Sequence, residues 1–182
     1  MTSEAVLYLV GGILVLLLAW AVWTLTRLGR LETRVARAWT ALDVQLQRRA
    51  GLAEELARTY PTTVGEDRAV YLAAFAGDAR APLDGDRELA ENLLGRELRD
   101  LPADLPGVPA SVRSDLVGTA TRVTLARRFY NDAVRDIRAL RRRRLTRLMR
   151  LHASRPLPRF FDIDDRLDGL TAAGDGAGQP RR

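Results

Sequence analysis

The sequence predicts an all-α protein: an N-terminal transmembrane helix continuing into an antiparallel up-and-down helical bundle with two long and two short helices. Three observations carry this. Leu28, Leu31, Val35, Ala38, Leu42, Gln45 and Leu52 recur at three- and four-residue steps, with Trp39 and Leu46 just beside that stripe. Strand-type alternation is absent throughout. Gly and Pro punctuate the chain only at a few places, and neither interrupts the stretch from Arg30 to Gly51.

The elements follow in order. Residues 1–4 form a short extracytoplasmic N-terminus. Residues 5–25 are almost wholly apolar and carry no charge, and about 20 such residues span a hydrocarbon core. Trp20 and Trp23 near one end and Tyr8 near the other suit interfacial belts. A cleaved signal peptide is the rival reading, with Ala19-Trp20-Ala21 as a faint cleavage site. It is disfavoured by an n-region without positive charge and by the length of the apolar run. Arg27, Arg30, Arg34 and Arg37 follow the span, so the positive-inside rule places the N-terminus outside and residues 26–152 in the cytoplasm.

The first helix continues to Tyr60, where Pro61 stops it. Thr63-x-x-Glu66 is a capping-box signature for a second helix over about 64–77. A turn at Ala81-Pro82 and Asp84-Gly85-Asp86 precedes a short third helix at about 87–101, with Leu89, Leu93, Leu94, Leu98 and Leu101 inward. Pro102, Pro106, Gly107 and Pro109 make a loop. Ser111 then caps a last helix to about His152, whose face is Val112, Leu116, Ala120, Val123, Phe129 or Tyr130, Val134, Ile137 and Leu140. Residues 153–182 read as an irregular, disordered tail. Counting equal rise from Tyr60 and Val112 sets Trp39 opposite about Ala133, Asp43 opposite about Phe129 and Arg27 opposite about Leu145.

Composition narrows the chemistry. There is no Cys, so a disulfide framework, a thiolate metal site and a cysteine nucleophile are excluded. A lone His152 excludes a multi-histidine metal site. Every basic side chain is Arg. Residues 27–60 hold seven Arg against four acids, 61–110 five against ten, and 111–152 twelve against three, so an acidic middle separates two basic regions. No P-loop, nucleophile elbow or HExxH motif occurs, and Gly11-Gly12 lies within the span.

The motif Arg34-x-x-x-Ala38-Trp39-x-x-x-Asp43-Val44-Gln45-Leu46-x-Arg48-Arg49, just after a membrane span, resembles the LemA family of bacterial membrane-anchored helical proteins. Ala126-Arg127-x-x-Tyr130-Asn131-x-x-Val134 is similar to a segment of that family's last long helix. The chain departs from the family pattern after Leu52, at Ile137-Arg138 and in its Pro-rich middle, and Phe160-Phe161-Asp162 approximates the family's aromatic–acidic ending. The resemblance implies an anchor and a bundle but assigns no activity. With the equal-rise count, it makes Trp39, Asp43, Arg127, Tyr130 and Asn131 candidates for a polar network between helices, either setting register or holding a small ligand.

Two further groups stand out. Arg141, Arg142, Arg143, Arg144, Arg147 and Arg150 are a solvated helix end, an anionic-lipid contact with Phe160 and Phe161 dipping into the interface, or a nucleic-acid contact without a supporting motif. Asp162, Asp164 and Asp165 lack the spacing of a cation loop. The sequence therefore points to a single-pass, non-catalytic scaffold or adaptor at the cell membrane. It calls for no cofactor or metal, and its partners are the membrane and a protein it does not identify. Self-association through the first helix is a further option. The alternative is a peripheral regulator reading anionic lipid through the Arg-rich helix end.

Overall fold

The computed structural model describes residues 3–80, 87–102, 104–142 and 156–165, and every regular element among them is helical. In order these are α1 (Ser3–Thr59), α2 (Pro61–Val64), α3 (Glu66–Arg80), α4 (Arg87–Arg99) and α5 (Ala110–Arg141). The fold is all-α, with one helix more than expected. Gly65 creates the extra element. Its φ of 97° lies in the left-handed region that favours glycine. The Gly65 N–H donates to the Pro61 carbonyl at 2.9 Å and ends α2, while its own carbonyl accepts from the Ala69 N–H at 2.8 Å and starts α3.

Two expected caps do not form. Thr63 lies inside α2, and its hydroxyl donates to the Pro106 carbonyl at 2.8 Å instead of closing a capping box with Glu66. Ser111 lies inside α5, which begins directly after Pro109. There the Pro109 carbonyl accepts from Val112 at 3.1 Å and Arg113 at 3.2 Å. The expected run of this helix to His152 lies outside the described residues.

The chain divides into two compact units, Met1–Ala38 with Asn131–Phe160 and Trp39–Tyr130 with Phe161–Arg182. Both long helices contribute to both. In the first, α1 and α5 run antiparallel, because Arg34 pairs with Asp136 at 2.7 Å and Glu32 with Arg141 at 3.1 Å. Leu28, Ile137 and Leu140 are buried there, with Leu31 and Val35 packed against them. Earlier in α1 the apolar side chains point outward all round, and an 18-residue stretch reaches a mean hydropathy of 2.6. This is the one helix among the described residues long and apolar enough to cross a membrane.

The second unit holds the larger core. Leu42, Leu46, Ala53 and Leu56 of α1 are buried, as are Leu72 and Ala76 of α3, Leu94 and Leu98 of α4, and Leu116 and Val123 of α5. Leu101, Leu105 and Val108 close the core from the connection between α4 and α5. The buried stripe of α1 is rotated from the expected one, since Gln45 and Leu52 are only half-buried. Leu89, expected inward, is 52% exposed. Of the alternatives Phe129 and Tyr130, Tyr130 is the buried residue.

Candidate functional site

The most elaborated site lies in the second unit, where residues 161–165, Phe-Asp-Ile-Asp-Asp, cross α4 and α5 without regular secondary structure. Sequence placed this strap in the tail. Its residues alternate: Phe161, Ile163 and Asp165 are buried, while Asp162 and Asp164 face out. Two-residue alternation is the signature of an extended backbone presenting one face to a surface.

One stripe of α4 receives that backbone. Glu88, Asn92, Gly95 and Arg99 succeed one another at four, three and four residues, so they share a face. Glu88 Oε1 accepts from the Asp162 N–H and Asn92 Oδ1 from the Asp164 N–H, each at 2.8 Å. Arg99 Nη1 donates to the Asp164 carbonyl at 3.2 Å and lies 3.4 Å from its carboxylate. Side chains of a helix thus take the place of a neighbouring strand in pairing the strap amides of Asp162 and Asp164. Gly95 allows the approach, since a Cβ there would stand 3.1 Å from the Asp164 carbonyl oxygen.

α5 holds the other side. Arg127 donates through Nε to Asp165 Oδ2 at 3.0 Å and through Nη2 to Oδ1 at 3.3 Å. This two-pronged geometry suits a planar guanidinium facing a carboxylate. The same guanidinium lies 3.6 Å from Asp162. Beside the strap opens a cleft of about 670 Å³ whose rim includes Arg96, Arg99, Arg127 and Arg128. Arg96 and Arg128 form no ion pair among the described residues.

Phe161 enters an aromatic cluster. Its ring meets Trp39 edge-on, with centroids 5.5 Å apart and planes at 75°, and Trp39 meets Tyr130 at 5.3 Å. Such pairs are worth about 0.5–1.5 kcal/mol beyond area burial. Arg87 lies over Trp39 at 5.8 Å. It also forms an ion pair with Asp43 at 2.5 Å, off the line of a good hydrogen bond, and lies 3.8 Å from Glu91. Glu91 is fully buried and pairs with buried Arg49, which also donates to the Glu91 carbonyl at 3.1 Å. A chain of charge therefore runs from the core to the aromatic cluster: Arg49, Glu91, Arg87, Asp43.

The network expected between the two long helices is thus divided. Trp39 and Tyr130 meet, three residues from the anticipated Ala133. Asp43 turns to α4 and pairs with Arg87, and Arg127 turns to the strap. Asn131 lies half-buried in the first unit. The equal-rise count fails further along α1, where Arg48 pairs with Asp115 at 3.1 Å.

The Arg cluster is also altered. Arg141 is no lipid-facing residue: it is buried and donates to Glu32 at 3.1 Å and to the Pro156 carbonyl at 3.2 Å. Arg142 is exposed, and Arg143, Arg144, Arg147 and Arg150 lie outside the described residues. Arg138 donates to the Pro158 carbonyl at 3.0 Å and covers one face of Phe160 at 4.7 Å, which stays 42% exposed, while Phe161 is buried on Trp39. Nor do Asp162, Asp164 and Asp165 gather around a cation position: each faces an arginine.

Sequence reading missed Arg49, Arg87, Glu88, Glu91, Asn92, Gly95 and Arg99. A signal existed for some of them. Arg49 continues the buried Leu42 and Leu46 row and Glu91 precedes Leu94 and Leu98, so each is a charge on an apolar face. Comparison with protein-family models, with curated proteins and with solved structures returns no match.

Proposed function

We propose that the chain is a non-catalytic membrane-anchored adaptor of LemA-like type, with its N-terminus outside and its helical bundle at the cytoplasmic face of a bacterial cell membrane. The observation that carries this reading is the continuity of α1. One unbroken helix passes from outward-facing apolar residues into the buried cores of both units. No non-helical linker interrupts α1 between its apolar stretch and the residues that enter those cores. Arg27 lies over Trp23 at 5.3 Å, a pairing suited to a cytoplasmic interface where the ring sits at head-group level and the charge stays wet. The adaptor role is supported by the strap site, whose carboxylates and guanidiniums engage one another in recognition geometry.

Photo-crosslinking in the native membrane tests it. A photoreactive side chain replaces Tyr71, Leu125 or Phe129, which are 58%, 51% and 58% exposed. A discrete protein adduct from at least one position is expected. No adduct from any of them overturns the adaptor reading.

A further inference from the structure

We propose that the groove between α4 and α5 is a receptor for an extended protein segment of alternating apolar and aspartate residues, and that the chain's own strap is its resident competitor. The proposal deepens the adaptor reading, on which it rests for its biological sense, by stating the chemistry of the partner.

The strap defines what the groove accepts. It wants an aromatic ring against Trp39, an aliphatic side chain two residues on, and a carboxylate two residues further for Arg127. Glu88 and Asn92 read main-chain N–H groups, which any extended peptide offers. Recognition of backbone by fixed acceptors and of alternate side chains by pockets is how extended peptides dock on protein edges. Gly95 keeps the floor open for a peptide carbonyl.

The strap also leaves the site unfinished. Arg96 and Arg128 line the adjoining cleft of about 670 Å³ and form no ion pair among the described residues, whereas Arg99 and Arg127 are engaged by Asp164 and Asp165. A tethered segment enjoys a high effective concentration, so a foreign segment displaces it only by making additional contacts. Flanking acids that reach Arg96 and Arg128 supply them. The geometry thus points to a partner segment of the pattern aromatic–Asp–aliphatic–Asp–Asp, flanked by further acidic residues.

The test uses the full chain in detergent micelles and two fluorescein-labelled peptides. One carries residues 161–165, and the other the same residues flanked by glutamates. Phe161→Ala weakens the resident strap. Both peptides are expected to bind this variant about tenfold tighter than the wild-type chain, since the strap stays tethered but loses its ring contact with Trp39 and competes less well. The flanked peptide binds more tightly than the plain one, and Arg96→Gln with Arg128→Gln removes that difference. A flanked peptide with Asn for every Asp does not bind.

No binding to a folded Phe161→Ala chain, equal binding of the Asp and Asn peptides, or concentration-dependent self-association in place of peptide binding overturns the proposal. The last outcome would assign the groove to a second copy. Should Phe161→Ala unfold, hydrogen exchange on the wild-type chain decides. Excess flanked peptide is expected to speed exchange at the Asp162 and Asp164 amides, and unchanged exchange overturns the proposal. Loss of peptide binding with membrane crosslinks intact leaves the adaptor reading standing, and peptide binding without crosslinks removes it.

Discussion

At the residue scale the buried ion pair of Arg49 and Glu91 sets the largest single energies. Their side chains are 2% and 0% exposed, so Arg49 would be an uncompensated buried charge without Glu91, and Glu91 without Arg49 would keep only Arg87 at 3.8 Å. Arg49→Met is expected to destabilise by about 3–5 kcal/mol, and adding Glu91→Leu to recover most of it, because apolar replacement of a whole pair is near neutral. Denaturant unfolding of the two single variants and the double variant measures the cycle. Gly95→Ala separates helix propensity from strap docking. Alanine favours α4 by about 1 kcal/mol, yet its Cβ presses on the Asp164 carbonyl. Thermal stability is expected to hold while exchange at the strap amides quickens. The amino acids alone show Arg49 and Glu91 as charges on apolar faces, but not that they pair, nor that Gly95 meets the strap. A hydrophobic stripe announces which residues face inward, but Arg49 and Glu91 face inward only because each meets the other across 42 positions of chain.

At the scale of elements, the helices were readable and the strap was not. Pro61, Pro102 and Pro109 mark real breaks, and the apolar periodicity of α1 and α5 extends over enough turns to be unambiguous. Thr63 and Glu66 have the spacing of a capping box, which masks the break at Gly65, and the tertiary bond from Thr63 to Pro106 prevails over it. The strap has only five residues of alternation, and the acceptors for its amides, Glu88 and Asn92, lie more than 70 positions away in the chain. Arg127→Gln removes both donors to Asp165. Fast exchange at Asp162 and Asp164 with unchanged helical circular dichroism is the expected result. In the apolar part of α1, Val15 is 67% exposed. Val15→Arg is expected to weaken insertion by about 2.5–3.5 kcal/mol, read as a larger soluble fraction on alkaline extraction of membranes.

At the scale of the whole molecule, topology decides whether the remaining inferences have a place to act. Arg27, Arg30, Arg34 and Arg37 follow the apolar stretch, and in the proposed reading the positive-inside rule orients the span by them. The measurement that tests this most directly exploits the absence of cysteine. Ser3→Cys and Glu55→Cys are introduced singly and probed in intact cells with a membrane-impermeant thiol reagent. Labelling of Ser3→Cys in intact cells, with Glu55→Cys labelled only after lysis, is the predicted result. Labelling of Glu55→Cys in intact cells would put the bundle on the outer side and contradict the account.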